Sequence, residues 1–201
     1  YLVLKADTVQ GGETGTGKEL IAKAIPAASP RRTYPFTAIN CAAIPENLLE
    51  GLLFGTVKGS FTGATDRAGL FEVSYGGTLF LDEMNSMPIG LQSKLLRVVQ
   101  ARLVRRVGAL EEIPVNVRII SSVSRNPELE MNAGTLRPDL VYRLGVIKVY
   151  LPPLRERLDD LPILVNHFLQ KHNRYLGRKV VGVSSGAEER FKQYHWAGNS
   201  R

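Results

Sequence analysis

The segment Gly12–Glu19 limits the possible folds more than any other part of the chain, because it has the spacing of a phosphate-binding loop. It reads Gly-Glu-Thr-Gly-Thr-Gly-Lys-Glu and matches the Walker A pattern G-x-x-x-x-G-K, with Glu19 where Ser or Thr usually stands. Glycines let backbone N–H groups turn towards a phosphate, and a helix that begins near Lys18 directs its positive end at the same anion. A helical pattern from Leu20 to Ile25 follows, which favours nucleotide binding over an ordinary glycine-rich turn.

A second motif, Leu79–Glu83, places two adjacent carboxylates at the end of a short apolar run. A buried strand would carry Asp82 and Glu83 to its carboxyl end, where ligands bind in open α/β sheets. Asp82 would then hold Mg²⁺ through water, and Glu83 would polarise the attacking water. A strand followed by an acidic helix cap is the alternative interpretation. Together with the first motif, this one favours a site that hydrolyses a nucleotide.

Short β-rich segments alternate with helical patterns in the part of the chain before Pro152. One helical pattern runs from Leu91 to Val99, where the apolar residues fall on one helix face. Apolar strands separated by helices indicate a largely parallel sheet that is covered on both sides. Leu2–Leu4 would supply the strand before the glycines, although residues 5–10 separate the two. The other predicted strands are Phe36–Asn40, Thr78–Leu81, Val117–Val123 and Val146–Leu151.

The pattern changes at Pro152, beyond which we predict no strand. Residues Asp159–Pro162 have the acidic residues and the early proline of a helix start. A second helix is predicted from about Ser184 to about Tyr194. We therefore expect an α/β core in residues 1–152 and a small helical domain in residues 153–201, which ends abruptly.

Composition excludes several classes of protein. The chain has 201 residues, of which 44% are hydrophobic and 22% charged, so bulk disorder is excluded. No apolar run is long enough to span a membrane. The single cysteine, Cys41, excludes an internal disulfide and fits a reduced, cytoplasmic setting. The net charge of +7 is compatible with an anionic partner or with a basic solvated surface, and charge alone does not decide.

Several further motifs stand in order along the chain. Besides the phosphate loop they are Gly59–Ala64 (Gly-Ser-Phe-Thr-Gly-Ala), Gly76–Glu83, Leu151–Arg157 (Leu-Pro-Pro-Leu-Arg-Glu-Arg) and Trp196–Arg201. With these motifs, the chain closely resembles the central AAA+ domain of bacterial enhancer-binding proteins, the activators of sigma-54 RNA polymerase. The resemblance covers nearly the whole chain from Gly12 to Arg201.

The resemblance implies a P-loop AAA+ α/β core of three layers with a parallel sheet, followed by a small α-helical lid domain. It implies an ATPase with ATP and Mg²⁺ as cofactors, which self-associates into a ring, expected to be a hexamer, in the bacterial cytoplasm. The implied partner is the sigma-54 RNA polymerase holoenzyme, which such a domain remodels to allow promoter opening. DNA would be contacted only through a domain absent from this segment, and no membrane is involved.

The loop Gly59–Ala64 differs by one residue, Ser60, from the family's Gly-Ala-Phe-Thr-Gly-Ala loop that contacts sigma-54. The resemblance makes Phe61 and Thr62 the contacting tip. An exposed Phe is costly unless it meets a partner, and flanking glycines allow a tight, mobile tip. The alternative is an ordinary glycine turn with Phe61 folded into the core.

Other roles follow from the resemblance at single positions. Asn40 matches the residue that pairs with the catalytic glutamate and switches it with nucleotide state; an Asn that caps the following turn is the alternative. Arg137 and Arg143 match the arginine-finger region, in which an arginine reaches the γ-phosphate of the neighbouring subunit. Which of the two is the finger stays open, and a pair of surface arginines is the alternative. Arg201 matches the sensor arginine of the lid.

These motifs and matches give the expected site residues. The catalytic residues are Glu83, Asn40, Arg137 and Arg143, the metal residue is Asp82, and the partner-binding residues are Phe61 and Thr62. The nucleotide-binding residues are Gly12, Glu13, Thr14, Gly15, Thr16, Gly17, Lys18, Glu19, Asp82, Ser124 and Arg201.

Three departures from the family pattern bear on the coupling between ATP and the loop. Ser124 stands where the family usually has an Asn that acts as the first sensor, and Ser124 lacks an amide. Leu52 and Val57 stand where the family has acidic residues. We therefore expect hydrolysis to survive better than coupling. The alternative function is a nucleotide-dependent assembly module with weak or no turnover; direct DNA binding is a third possibility, but the segment contains no convincing helix-turn-helix.

Overall fold

The computed structural model describes residues 8–124 and 126–200, which form two compact units. The first unit contains the chain up to Gly12 and Lys18–Tyr150. The second contains Glu13–Gly17 and the residues from Leu151 onward. The middle of the phosphate-binding loop thus groups with the second unit, while the two ends of the loop belong to the first.

Nine strands lie within the described residues, all of them in the first unit. Five strands form one sheet, and the other four form two short ribbons. In chain order they are β1 (Thr8–Gly11), β2 (Phe36–Asn40), β3 (Gly55–Thr56), β4 (Arg67–Ala68), β5 (Thr78–Asp82), β6 (Leu103–Val104), β7 (Ile113–Pro114), β8 (Arg118–Val123) and β9 (Ile147–Tyr150).

The five-stranded sheet is parallel throughout, in the order β2-β5-β8-β1-β9. The predictions for β2, β5, β8 and β9 are confirmed to within one residue at either end. The predicted first strand, Leu2–Leu4, lies outside the described residues, and the strand that directly precedes the glycines is β1, Thr8–Gly11. This segment has a single apolar residue and so shows little hydrophobic pattern, but its backbone pairs with β8 on one side and β9 on the other.

Alternate residues of the central strands β5 and β8 point to opposite faces of the sheet. Leu79 and Ile119 belong to the larger apolar cluster, whereas Phe80 and Ile120 belong to a smaller one together with Ala22. All five residues are buried. The sheet therefore lies between two helical layers, and the expected α/β core of three layers is confirmed.

Eight α-helices lie within the part of the chain that the structure describes, six of them in the first unit. The predicted apolar stripe from Leu91 to Val99 is confirmed, because it lies on one of these helices and faces the larger cluster. The helices are α1 (Lys18–Ala27), α2 (Glu46–Phe54), α3 (Leu70–Val73), α4 (Ile89–Ala101), α5 (Pro127–Asn132), α6 (Pro138–Leu144), α7 (Leu161–Leu176) and α8 (Ser185–Gln193).

The two antiparallel ribbons, β3–β4 and β6–β7, were not predicted, since strands of two residues give no periodic pattern. They are joined by main-chain contacts. The N–H of Val107 donates to the carbonyl oxygen of Gly55 at 2.9 Å, and the N–H of Val57 donates to the carbonyl oxygen of Val107 at 3.2 Å. The loop Gly59–Ala64 lies between β3 and β4, so this ribbon forms its stem.

Arg31 ties the amino ends of β5 and β8 to the segment that follows α1. Its Nη1 donates to the carbonyl oxygens of Gly76 and Gly77, at 2.7 Å each, and to that of Asn116 at 3.3 Å. Its Nη2 donates to Oδ1 of Asn116 at 2.7 Å. A hydrogen bond from a charged donor contributes roughly 1.5–3 kcal/mol, so this one half-buried side chain supports both central strands.

The second unit is helical where it is described beyond Tyr150. Two 3-10 turns, Leu154–Glu156 and Leu158–Asp160, precede α7, which has a proline in its first turn and ends at Gly177 with φ 62°. Both predicted helices of this region are confirmed, and its described part contains no strand. No helix among residues 8–124 and 126–200 has both the length and the apolar character that a membrane span requires.

Candidate active site

The phosphate-binding loop ends on Lys18, the first residue of α1. Lys18 is buried, and its Nζ donates a hydrogen bond of 2.7 Å to the carbonyl oxygen of Gly12. Burial lowers the pKa of Lys18 from its ordinary value, while nearby Asp82 and Glu83 act in the opposite direction. The first N–H groups of a helix lack partners within the helix and carry a partial positive charge. Lys18 and the start of α1 therefore suit an anionic ligand.

Ser122 of β8 holds Asp82 and Glu83 at the carboxyl end of the neighbouring strand β5. Ser122 is fully buried, and its Oγ donates a hydrogen bond to Oδ1 of Asp82. The backbone N–H of Glu83 donates to Oγ of Ser122 and to Oδ1 of Asp82, at 3.2 Å each. The role of Ser122 cannot be read from the sequence, because a lone serine in an apolar strand matches no motif.

Glu83 has a left-handed backbone, with φ 52° and ψ 48°. For a residue other than glycine, this conformation costs roughly 1–3 kcal/mol and persists only where the surroundings impose it. The contacts of its N–H with Ser122 and Asp82, and the 3-10 turn Met84–Ser86 that follows, hold it in place. Backbone strain concentrates at functional sites, so this conformation is an observation independent of the motif that favours a catalytic Glu83.

Asn40 ends β2 and lies opposite Asp82 in the sheet register. Its Oδ1 accepts a hydrogen bond of 2.9 Å from the N–H of Ala42 and so caps the turn that begins at Cys41. The structure thus forms the capping contact that the sequence left open as the alternative. Among the described residues no hydrogen bond joins Asn40 to Glu83, and the switch role stays a prediction.

Cys41 is buried beside this site. Burial, together with the nearby carboxylates of Asp82 and Glu83, raises the pKa of its thiol to about 12. A thiol with so high a pKa is protonated at neutral pH and is a poor nucleophile. Cys41 therefore serves as a small core residue.

The oxygen atoms near β5 fit a magnesium ion only in the presence of a nucleotide. The described ranges, residues 8–124 and 126–200, hold no group of three or more His, Cys, Asp or Glu side chains that could bind a metal. Glu19, at the usual hydroxyl position, forms an ion pair of 2.7 Å with Lys23 on an exposed face of α1. Oδ1 of Asp82 accepts from Ser122 and Glu83. Because Mg²⁺ is commonly bound by one or two carboxylates together with phosphates and water, Asp82 fits this role.

The two candidate finger arginines differ in their contacts. Arg137 makes a bidentate pair with Asp139, with distances of 3.0 and 2.6 Å, and its Nη1 donates to Oγ of Ser93 at 2.7 Å. The hydrogen bonds to Asp139 raise the pKa of Arg137 further. Arg143 is exposed on α6 and has no hydrogen-bond or ion-pair partner among residues 8–124 and 126–200. Of these two arginines, Arg143 alone can therefore bind another molecule without first breaking an existing ion pair.

Phe61 and Thr62 are exposed at the tip of the loop between β3 and β4. Phe61 has 53% of its surface accessible, so the alternative in which it folds into the core is excluded. Gly59 and Gly63 both have φ 83°, a conformation that other residues rarely adopt. At the base of the loop, Oγ1 of Thr56 donates to the carbonyl oxygen of Thr65 at 2.7 Å. The loop thus presents an aromatic ring on a closed stem.

A salt bridge connects this stem to the rest of the first unit. Arg106 donates to both carboxylate oxygens of Glu72, at 2.9 and 2.6 Å. These hydrogen bonds hold the pKa of Glu72 below its ordinary value. Arg106 directly precedes Val107, which pairs with the main chain around β3. The pair therefore anchors the second ribbon, which in turn supports the stem of the loop.

In the second unit, the carboxylate of Glu13 in the phosphate loop accepts hydrogen bonds from two polar side chains. Arg155 donates to both carboxylate oxygens of Glu13, at 2.8 and 2.6 Å, and Nδ2 of Asn199 lies 3.3 Å from one of them. Arg155 first, and then Asn199, lowers the pKa of Glu13 to about 2. Arg155 and Asn199 stand in family motifs, but their contacts with Glu13 cannot be read from the sequence, because 142 and 186 positions of chain separate them from it.

The carbonyl oxygens of the same loop segment also accept hydrogen bonds from side chains of the second unit. Asn199 donates to Thr14 at 2.9 Å, Oγ of Ser200 donates to Gly15 at 2.7 Å, and Arg157 donates to Thr16 at 2.8 Å. In a planar trans peptide the N–H points away from the C=O. The N–H groups that follow these carbonyls therefore face away from the residues that hold the loop. Arg201, the expected sensor, lies outside the described residues.

We predict that replacing Arg155 with Gln lowers the melting temperature in a pH-dependent way. A lowered carboxyl pKa stabilises the fold above the ordinary value of 4.5, and this contribution is lost as the pH falls through about 2. The variant should melt below wild type at pH 7, but only by a few degrees, because solvent screens the pair. The difference in melting temperature should shrink as the pH falls below 4.5. Circular dichroism melts across this range, with Arg190→Gln on exposed α8 as the control, make the test. A difference that stays constant with pH would contradict it.

Two family models match the chain. The model of the sigma-54 interaction domain matches residues 3–150, and that of an AAA+ ATPase lid domain matches residues 155–201. These matches confirm the resemblance that the motifs carried. They follow one another along the chain without overlap.

Curated relatives include transcription activators from several bacteria. The chain is 47% identical to the transcriptional activator RocR of Bacillus subtilis, over 94% of this chain and 41% of RocR. It is 48% identical to the regulatory protein AtoC of Escherichia coli, over 98% of this chain and 43% of AtoC. The chain therefore spans about two fifths of the length of these relatives.

Solved structures share the fold. NtrX from Brucella abortus in complex with ATP has a TM-score of 0.90 and 37% identity, over 98% of this chain and 45% of that one. Hsp104 of S. cerevisiae has a TM-score of 0.67 at 17% identity, over 98% of this chain and 38% of that one, and supports the fold alone. The AAA+ fold expected from the motifs is thus confirmed. The chain belongs to the sigma-54 interaction domain family of AAA+ proteins, which is found in sigma-54-dependent transcriptional activators.

Proposed function

We propose that this chain is the ATP-hydrolysing motor that acts on sigma-54 RNA polymerase to allow promoter opening. The observation that carries the proposal is the strained Glu83, held beside Asp82 by Ser122 at the carboxyl end of β5. The structure of NtrX in complex with ATP, at 37% identity, supports ATP as the nucleotide. We also propose that residues 1–152 form the catalytic core and residues 153–201 the lid.

The phosphates of ATP would bind to the N–H groups of the loop Gly12–Gly17, to the start of α1 and to Lys18. Asp82 would hold Mg²⁺ through water, and the ion would supply positive charge next to the phosphates. Glu83 would accept a hydrogen bond from the water that attacks the γ-phosphorus and would take its proton. The strained backbone of Glu83 serves this role because it fixes the Cα of Glu83, and so the point from which its side chain extends, beside Asp82.

An arginine from a neighbouring subunit would complete the site, and we assign this role to Arg143. Arg137 is engaged by Asp139 and Ser93, whereas Arg143 is exposed and has no partner in the described part of the chain. Every active site receives such a guanidinium only if the subunits form a closed ring, and we propose a hexamer. Arg137 would instead shape the start of α6.

The ring would present its Phe61 tips to sigma-54. Phe61 and Thr62 are exposed, and the stem of their loop is tied to the core through Val107 and the Arg106–Glu72 pair. A change at the nucleotide would reach this stem through Asn40, whose amide nitrogen would bind Glu83 in one nucleotide state. DNA would be bound by another domain of the full protein, in the bacterial cytoplasm.

A module that assembles with nucleotide but hardly turns it over is the alternative. Ser124, Leu52 and Val57 motivate it, since each departs from the family pattern. The structure gives these departures different surroundings: Leu52 packs on the larger apolar cluster, and the N–H of Val57 bonds to Val107. Measured ATP turnover at ring-forming protein concentration decides between the two functions.

We predict that Arg143→Ala lowers the ATPase rate of the assembled chain by about 10³, because an arginine finger contributes a factor of this order or more. Arg137→Ala is the matched control, and the fold loss of its ATPase rate should be less than a tenth of the loss for Arg143→Ala. Both variants should still bind ATP. Steady-state rates as a function of protein concentration make the measurement. A larger loss for Arg137→Ala, or an unchanged rate for Arg143→Ala, would reverse the assignment.

We predict that Phe61→Ala weakens sigma-54 binding by about thirtyfold, which corresponds to a central aromatic contact of about 2 kcal/mol. The ATPase rate should stay within about twofold of wild type, because Phe61 is remote from the chemistry in the sequence and exposed. Tyr75→Ala, at another exposed aromatic residue, is the control. Binding of purified sigma-54 in the presence of Mg²⁺ and a non-hydrolysable ATP analogue makes the test. Undiminished binding by Phe61→Ala would contradict the loop assignment.

A further inference from the structure

A cavity lies in the first unit between α2, α4, β6 and the segment that joins β6 to β7. Its volume is about 310 Å³, at the lower end of the range for sites that bind small molecules. An α-helix with its side chains has a diameter of about 10–12 Å, so a peptide helix would not fit inside. The size of the cavity therefore favours a small molecule.

The inner lining of this cavity is apolar. Phe54 of α2 and Val98 of α4 are buried and belong to the larger apolar cluster, and half-buried Leu103 of β6 lies beside them in the lining. Apolar surface gains free energy when it is removed from water. The cavity therefore favours a ligand with an apolar body.

The charged part of the lining has more cations than anions. Three of its four cations have carboxylate partners: Lys94 pairs with Glu50, Arg105 with Glu112 at 2.8 Å, and Arg106 with Glu72. The four cations are Lys94, Arg97, Arg105 and Arg106, and the two carboxylates in the lining are Glu50 and Glu112. One positive charge is thus left over in the lining.

That charge belongs to Arg97 of α4. Its side chain is exposed, and it has no hydrogen-bond or ion-pair partner among residues 8–124 and 126–200. A guanidinium presents its N–H groups as a planar fork that matches the two oxygens of a carboxylate. A single guanidinium also balances the single charge of a carboxylate, whereas a phosphate monoester carries nearly two.

We propose that this cavity binds a small organic carboxylate. Its carboxylate pairs with Arg97, and its apolar body packs against Phe54 and Val98. The site is separate from the nucleotide-binding residues, none of which lines the cavity.

The cavity shares a wall with the support of the loop Gly59–Ala64. Val107 lines the cavity, and its carbonyl oxygen accepts a hydrogen bond of 3.2 Å from the N–H of Val57. Gly108, also in the lining, has φ 82°, and a Cβ built there would lie only 2.5 Å from Cβ of Ser60. The wall of the cavity thus packs directly on the base of the loop.

The contact between this wall and the loop leaves one polar atom unsatisfied. Oγ of Ser60 is buried and has no hydrogen-bond partner in the described part of the chain. A buried hydroxyl without a partner destabilises the conformation in which it occurs. A ligand that binds this conformation stabilises it by mass action. On the basis of the function proposed above, the bound carboxylate would therefore hold the stem of the Phe61 loop in place.

The test is an NMR titration of the full chain with benzoate, and with benzamide as the neutral molecule of similar shape. Benzoate should shift the backbone amide signals of Val98, Val107 and Ala109 to saturation. Its dissociation constant should be about tenfold or more below that of benzamide, because only benzoate offers Arg97 a charged acceptor.

Two variants separate the charge from the cavity. Arg97→Gln should weaken benzoate binding about tenfold and leave benzamide binding unchanged, whereas Arg190→Gln, on exposed α8, should bind both as wild type does. Ala109→Phe places a larger side chain in the lining and should weaken the binding of both molecules, although every cation is retained. Thermal melts check that each variant is folded.

Hydrogen exchange tests the link to the loop. Benzoate at ten times its dissociation constant should slow exchange of the Val57 amide about tenfold, since opening of this wall would release the ligand. An unchanged exchange rate in the presence of bound benzoate would refute the link.

The binding proposal would be overturned if benzoate shifted no amide around the cavity, bound no more tightly than benzamide, or bound Arg97→Gln as tightly as wild type. These measurements use neither ATP nor sigma-54. A chain that binds benzoate but hydrolyses no ATP would therefore refute the proposed function alone. A chain that hydrolyses ATP but does not bind benzoate would refute this inference alone.

Discussion

The candidate site depends on the hydrogen bonds of the Ser122 hydroxyl, which join two strands and two candidate site residues. The hydroxyl donates to the carboxylate of Asp82 and accepts a hydrogen bond from the N–H of Glu83. The parallel pairing of β5 with β8 therefore positions both acidic residues. The left-handed backbone of Glu83 exists because this contact supports it. Without the hydroxyl, the N–H of Glu83 would keep only the bond to Asp82.

The exposed aromatic tip and the buried residues of the candidate active site have opposite requirements within the first unit. Lys18 and Ser122 are buried and held by short contacts, whereas Phe61 stands on a loop whose glycines have left-handed φ angles. The two ribbons reconcile these demands. They support the stem through main-chain bonds at Val107 and through the Arg106–Glu72 pair, so a displacement of the second ribbon would move the loop without unfolding it.

The sequence predicts those parts of the fold that repeat or that form a motif. The buried strands β2, β5, β8 and β9 and the stripe on α4 are readable because apolar residues recur in them, and the phosphate loop is readable because its glycines and lysine have a fixed spacing. The strand β1 could not be read in this way, because it is defined by its pairing on both sides and has little apolar pattern.

Contacts between residues distant in the chain could not be read in this way. Ser122 looks like an ordinary polar residue in the sequence, and its contact with Asp82 joins residues 40 positions apart. The difference in contacts between Arg137 and Arg143 likewise could not be read from the sequence, because only the structure shows that Asp139 and Ser93 bind Arg137. The sequence left both the Asn40 cap and the position of Phe61 as open alternatives, and the structure forms the cap and exposes the ring.

The most direct test of a hydrolytic phosphate site at the end of β5 compares ATP binding with ATP turnover in the same preparations. Glu83→Gln should bind Mg-ATP within a few-fold of wild type and lose turnover by about 10² or more, since it removes only the base. Lys18→Ala should lose ATP binding. The control is Glu111→Gln, which changes an exposed carboxylate far in sequence from the phosphate-binding loop, and this variant should behave as wild type. Turnover by Glu83→Gln at the wild-type rate, or tight ATP binding by Lys18→Ala, would contradict the account.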